Sequence, residues 1–240
     1  MNLLRKCLLK AAGAVLNDRS SKAVFYHDFF TGRPVTGMAT PLSLFREHLD
    51  MAGYLGFRAV TSINDTGRQM QVCLDDGFAG VWECREFFHG LDWWPTVFLA
   101  VELIGRPDYL SREQILELQR DGFRFQSHGW SHRPLTEVPL EELAHETADS
   151  KSRLEDLLGT EVSELCFPVG MFSPKVLDAC RDAGYRRMYS SIPGNFSKEI
   201  FPGVVRRNLV QFYSPNEFRS ALLGGLSPFA GRYFRMHYHP

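Results

Sequence analysis

The sequence has no CxxC pair, and its cysteine count is odd: Cys7, Cys73, Cys84, Cys166 and Cys180 make five. That pattern suggests neither a zinc ribbon nor a disulfide framework. A reducing compartment fits best, so the expected location is the cytoplasm. Charge of one sign is lacking too, since 27 Lys+Arg against 28 Asp+Glu leave a net charge of -1. No basic field exists for a nucleic-acid partner, and none is expected. No apolar run approaches the roughly 18 residues of a membrane-spanning helix. Internal repeats and low-complexity tracts are absent as well.

What is present suits one globular domain: 240 residues, 44% hydrophobic and 23% charged, a length that α/β barrels often reach undivided. Residues 1–20 stand apart from the main domain, 21–240. Leu3, Leu4, Cys7, Leu8, Ala11 and Val15 recur at helical spacing, beside Arg5, Lys6 and Lys10. The apolar run Ala11–Leu16 is too short and weak for a signal-peptide core. Two readings stay open: a helix packed on the domain through this stripe, or a peripheral helix lying on an anionic membrane surface.

After it, short apolar runs alternate with helical patterns. Strands are predicted at 23–27, 57–61, 71–74, 96–101, 123–127, 164–167 and 187–190, with later candidates at 208–212 and 232–237. Helices are predicted at 42–55, 81–90, 112–120, 140–158, 174–183 and 215–222. Ser111 followed by Gln114 is a capping-box pattern, Gly122 and Gly184 sit where helix C-caps belong, and Pro139 sits near a helix start. About seven strands separated by helices predict a distorted TIM-like (β/α) barrel of parallel strands, with an extra N-terminal helix.

The chemistry-bearing residues fall just after these strands. Asp75-Asp76-Gly77 follows Gln71–Leu74, His128 to His132 follows Phe123–Ser127, Phe167-Pro168-Val169-Gly170 follows the next strand, and His27 ends the first. In a parallel barrel all strand C-termini open on one face, so these segments should converge in one mouth. Singly they are weak. About 0.3 histidine pairs at spacing four are expected by chance, so His128 and His132 alone could be ordinary loop residues. Asp75 and Asp76 could be a cap or turn. Yet a plain turn needs only one carboxylate, and a divalent cation would relieve the repulsion between two. Two imidazoles and one carboxylate make a three-ligand set with open positions for water. Trp93 and Trp94 precede a strand and read as core at the barrel bottom. His48, His89 and His145 read as surface residues.

The order of segments resembles the polysaccharide deacetylases, carbohydrate esterase family four. Their Thr-Phe-Asp-Asp-Gly motif corresponds to Cys73-Leu74-Asp75-Asp76-Gly77, and their His-Ser/Thr-x-x-His to His128 through His132. Their Arg-Pro-Pro-Tyr or Ala-Tyr-Pro-Tyr-Gly segment corresponds to Cys166-Phe167-Pro168-Val169-Gly170. Phe25-Tyr26-His27-Asp28 is similar to the Tyr-His opening of one branch, and Pro95-Thr96-Val97-Phe98 to the family's Ala-Thr-Phe-Phe strand. The resemblance covers roughly residues 23–225. It implies metal-dependent removal of N-acetyl groups from amino sugars of a polysaccharide or glycan precursor. Asp75 would be the general base, and Asp76, His128 and His132 would be the ligands of one metal. Zinc suits that set, with cobalt or nickel able to substitute. Pro168, Val169 and Trp130 are expected at the substrate, with the Val169 N–H facing the oxyanion.

Three departures stand out. Cys166 replaces the arginine that orients the base in many members, Val169 replaces a tyrosine, and no late Leu-x-x-His motif supplies the acid. His27 is the candidate acid, with His237 as its competitor. Two other readings remain: a deformylase or deacylase of a lipid-linked sugar, and a degenerate barrel that binds glycan without turnover.

Overall fold

The structure, a computed structural model, describes residues 3–240. Eleven strands order the chain: β1 (Lys22–Tyr26), β2 (Asp28–Phe30), β3 (Ala39–Pro41), β4 (Arg58–Val60), β5 (Gln69–Leu74), β6 (Thr96–Leu99), β7 (Arg124–Ser127), β8 (Glu164–Cys166), β9 (Arg187–Tyr189), β10 (Val204–Val205) and β11 (Arg207–Leu209). The helices are α1 (Leu3–Leu16), α2 (Leu42–Tyr54), α3 (Gly80–Glu83), α4 (Arg112–Asp121), α5 (Ser150–Leu158), α6 (Pro174–Asp182), α7 (Pro215–Ser220) and α8 (Ala230–His237).

Nine strands form one sheet: eight run in the order β10-β9-β8-β7-β6-β5-β1-β11, the ninth, β4, pairs with β5 off that path, and every pairing is parallel. β5 shares one edge between two neighbours: β4 along its first half, with Val60 opposite Gln71, and β6 along its second, with Thr96 opposite Cys73. The two ends of the path, β10 and β11, are adjoining pieces of one segment. Val204 and Val205 pair with β9, residues 207–209 pair with β1, and only Arg206 separates them. The sheet is thereby curled into a distorted (β/α) barrel.

Strand alternation sorts the core into two layers. Val24, Tyr26, Val72, Leu74, Val97, Leu99, Leu165 and Met188 pack outward under the helices. Ala23, Phe25, Cys73, Phe98, Cys166, Tyr189 and Val205 fill the barrel. Both faces of these strands are buried, and the barrel-facing side also takes polar residues such as Gln71, Glu164 and Arg207. Local signals place the helices. Ser111 and Gln114 form the reciprocal capping box of α4, and Gly122 ends it at φ 124°. Ser173 caps α6, with Pro174 in its first turn.

Three expectations are corrected. The candidate strand at 232–237 is helix α8, because Tyr233, Phe234, His237 and Tyr238 pair at a spacing of four, with ring centroids 5.8 Å apart for Tyr233–His237 and 4.9 Å for Phe234–Tyr238. The helix expected over 140–158 begins as a 3-10 turn and carries a π-type turn at His145–Asp149 before α5. His48 is not on the surface, although His89 and His145 are. It is fully buried, stacked on Phe218 at 4.2 Å.

The Tyr26 hydroxyl donates to His48 Nδ1 at 2.8 Å, and Nε2–H donates to the Tyr213 carbonyl at 2.7 Å. Both bonds suit the neutral ring, and burial pulls its pKa down to about 4. The folded value lies below the unfolded one of about 6.5. Its stabilising contribution is therefore present above pH ~6.5 and is lost as pH falls towards ~4. Between pH 7 and 4.5, His48→Gln should lose about 2 kcal/mol less stability than the parent, as read by urea unfolding. Equal losses would mean that His48 does not carry this acid sensitivity.

Candidate active site

Four strand ends deliver the site. Asp75 and Asp76 follow β5, His128 follows β7, Phe167 to Gly170 follow β8, and His27 follows β1. The strands bring these segments to one face as parallel neighbours. The Asp75 N–H donates to the Tyr26 carbonyl at 3.1 Å, and the His128 N–H donates to the Leu99 carbonyl at 2.7 Å.

The turn after β5 explains the Asp-Asp-Gly triplet. Asp76 and Gly77 both adopt left-handed backbone, at φ 73° and 78°. Asp tolerates that region better than most residues. Gly77 is needed for a second reason as well, since a Cβ there would lie 2.6 Å from a Leu99 methyl. Neither aspartate caps a helix. The turn is instead pinned by Asp28, whose Oδ2 accepts from the Gly80 N–H at 3.1 Å. Burial pushes the Asp28 carboxyl up to about 7.

Asp76 meets both histidines. Its Oδ1 is 3.2 Å from His128 Nε2 and 2.9 Å from His132 Nε2. One donor atom from each of the three residues lies within 4.8 Å of the others. Burial alone would raise the Asp76 carboxyl, but hydrogen bonds from His128 and His132 hold it far below the usual range. Burial would lower His132, but the Asp76 carboxylate outweighs it and raises that imidazole. The donor set fits a divalent cation on three counts. It offers two nitrogens and one oxygen, as catalytic zinc sites do. The nitrogens facing Asp76 are both Nε2, and His128 Nδ1–H is committed to the Cys166 carbonyl at 2.8 Å, which fixes the tautomer a ligand needs. Two of the three residues, Asp76 and His132 at φ 64°, are held in strained backbone. A second cluster, Asp75 with His128 and Cys166, fits less well. Burial raises the Cys166 thiol well above its ordinary range, so it stays protonated.

Asp75 faces the barrel interior and meets a residue that sequence reasoning missed. Arg207, fully buried at the start of β11, grips it with a two-pronged fork: Nη1 to Oδ1 at 2.7 Å and Nη2 to Oδ2 at 2.8 Å. Nε donates to the Ser190 carbonyl at 3.1 Å, and Nη2 also lies 2.9 Å from Cys166 Sγ. The guanidinium sits 4.2 Å from the Phe25 ring centroid. Burial would raise the Asp75 carboxyl, but the Arg207 charge overrides it and keeps the group below its ordinary value. The orienting arginine looked absent because Cys166 fills its expected slot. The signal was period-two alternation, which places Arg207 on the same face as Val205.

Glu146 was also missed. It is fully buried on the π-type turn and gathers the His128–His132 loop. Its Oε2 accepts from the Trp130 and Ser131 N–H groups at 2.9 and 3.0 Å, and its Oε1 accepts from the Ser131 hydroxyl. A π-turn at such a position is a common device of functional sites.

The remaining candidates divide. A cleft of about 300 Å³ is lined by His27, Asp75, Asp76, His128, His132 and Val169, and His237 lines it too. Val169 stands at φ 50° and is half exposed. Pro168 is buried behind it, at the Gly129 turn, and is not among the lining residues. Trp130 is not among them either, because its ring packs on His145 at 4.2 Å. Trp93 lies in the core as expected.

The sequence profile described as polysaccharide deacetylase matches residues 63–188. His27, Arg207 and His237 lie outside that stretch. YxkH of Bacillus subtilis (strain 168), a curated relative assigned to the polysaccharide deacetylases, is 27% identical over 104 residues; the match spans 43% of this chain and only 37% of that protein. Among solved structures, IcaB from Ammonifex degensii superposes with a TM-score of 0.76 at 20% identity, covering 87% of this chain and 99% of that one. The Streptococcus pyogenes deacetylase PplD, solved in complex with acetate, gives 0.73 at 17% identity, covering 85% and 98%. At these identities the structural likeness concerns the fold.

Proposed function

This chain belongs to the polysaccharide deacetylase family, and from that premise we propose that it is a metal-dependent hydrolase removing N-acetyl groups from amino sugars of a glycan. One observation carries the reading: an ionised Asp75, clamped by Arg207, stands beside the Asp76–His128–His132 group in one cleft. Asp76, His128 and His132 would hold a divalent cation, zinc being the best match to the set. Such an ion supplies Lewis acidity, polarising the acetamide carbonyl and lowering the pKa of a water.

The chain's own groups do the rest. Arg207 keeps Asp75 deprotonated and aimed, so its carboxylate can take the proton of the attacking water. The Val169 N–H, at the cleft wall, is the candidate donor to the developing oxyanion. The leaving nitrogen needs a proton, for an amide anion is too basic to depart. His27 is the proposed donor. Its Nδ1 is hydrogen-bonded to Gln211 Oε1 at 2.6 Å, which leaves Nε2 to exchange a proton. It also acts on the charge of Asp75, whose ionised form it favours. His237 is the competitor, its Nδ1–H tied to the Tyr233 carbonyl at 2.8 Å. The alternative of glycan binding without turnover rests on a lost arginine and an unassigned acid; the Arg207–Asp75 pair weighs against the first ground, and the His27 variant tests the second.

The test is hydrolysis of acetylated and formylated amino sugars by protein stripped with a chelator and then resupplied with metal. Activity should vanish and return, with acetyl preferred. In the same assay His27→Ala should lower turnover more than His237→Ala, with metal content unchanged in both. Full activity after stripping would refute the metal, and full activity of His27→Ala would pass the acid role to His237.

A further inference from the structure

Helix α1 is turned the unusual way round. A helix on a water-soluble domain generally buries its apolar stripe and exposes the rest. Here Leu9 and Gly13 face inward instead. Leu9 is fully buried, and a Cβ on Gly13 would lie 2.7 Å from the Ser220 carbonyl oxygen, so the backbone is seated directly on α7. Lys6 pairs with Glu217 at 3.1 Å, and the Asp18 N–H donates to the Leu223 carbonyl at 3.1 Å. The helix is thus firmly docked, yet Leu4, Leu8 and Val15 face solvent at 68%, 50% and 83% exposure.

Alongside it lies α8, with Met236 exposed by 53%. The two helices enclose a groove of about 250 Å³ whose lining includes Leu4, Leu8, Tyr233, Met236 and Arg232. Charge on this face has one sign. Residues 1–17 and 218–240 hold six of the 27 Lys+Arg and none of the 28 Asp+Glu, in a chain whose net charge is -1. Lys10, Arg219, Arg232 and Arg235 are exposed. The neighbouring carboxylates are already engaged: Glu217 by Lys6 and Ser214, Asp18 by Lys22 and Ser20.

We propose that the α1–α8 face docks on the surface of an anionic phospholipid bilayer. Exposed aliphatic side chains in a row, flanked by exposed cations and with the neighbouring carboxylates Glu217 and Asp18 already paired, match the acyl boundary and headgroup charge of such a surface. The orientation has a consequence for the cleft. Tyr233 lines both the groove and the catalytic cleft, and His237, one turn on, lines the cleft. Docking therefore holds the mouth of the cleft beside the lipid. No helix among the described residues is long and apolar enough to cross a membrane, so the contact is peripheral.

The experiment is co-sedimentation of the full chain with vesicles of phosphatidylcholine alone, or with about a third phosphatidylglycerol, at low and high salt. Wild-type protein should bind the anionic vesicles at least about tenfold better than the neutral ones, and high salt should weaken binding. Leu4→Ser/Leu8→Ser and Lys10→Glu/Arg232→Glu should each lose about tenfold in vesicle binding while keeping the wild-type circular dichroism and activity on a soluble substrate. Equal binding to both vesicle types, or none, would overturn the proposal. So would a wild-type dimer that either double variant converts to a monomer, since the face would then belong to a second copy of the chain. The readout is binding, so it stands whether or not the deacetylase reading holds.

Discussion

Asp75→Asn should lower turnover by a factor on the order of 10² or more while the protein still takes up one divalent cation. Asn keeps the shape and one oxygen of the carboxylate but cannot accept the proton of water. Asp76 is left untouched between His128 and His132, so metal uptake should persist. The substitution also leaves the Arg207 charge buried opposite a neutral amide, so the folded fraction must be measured and the rate normalised to it. Turnover on an acetylated amino sugar together with metal content decides the outcome. A variant that lost its metal, yet recovered full rate once metal was resupplied, would reverse the roles of the two aspartates.

Removing Arg207 should have the largest effect on stability. The pair is fully buried and bidentate. Taking away one partner of such a pair costs about 3–5 kcal/mol, because the other charge is left without compensation. Arg207→Met should therefore lower the urea-unfolding free energy by about that amount and cut turnover more than tenfold, since Asp75 would be neither held ionised nor aimed. Arg207→Lys should restore charge but not the fork, and so recover only part of the rate. The double variant Asp75→Asn/Arg207→Met should be more stable than Arg207→Met alone, because no unpaired charge remains. A stability for Arg207→Met equal to the parent's would show that the pair holds nothing in place.

The family profile shows why these groups need separate tests. It spans 63–188 and so includes Asp76, His128 and His132, the proposed ligands, and Asp75, the proposed base, but neither Arg207 nor His27. Arg207, which clamps Asp75, and His27, the proposed proton donor, come from β11 and the end of β1, paired strands at one end of the sheet path.

The sequence by itself determined which residues follow which strands. The short runs before Asp75, His128 and Phe167 were enough to place the motifs at strand ends, through their apolar members Val72, Leu74, Phe125 and Leu165, even though the same strands also bury Gln71, Gln126 and Glu164. The capping box at Ser111 and the C-cap at Gly122 are local chemistry and were equally legible. What only the tertiary structure decided is everything that depends on a partner far away in the chain. Arg207 and Asp75 are 132 positions apart, and alternation with Val205 gives Arg207 a strand face but not the carboxylate it meets there. Glu146 looked like one more helical charge until the His128–His132 loop closed over it. Trp130 sat in a motif that should face substrate, yet its backbone is held by Glu146 and its ring by His145. The α1 stripe was plain from its spacing. Which way it faced was settled by Gly13, whose missing side chain lets the opposite side of the helix approach α7 more closely than any aliphatic residue would allow.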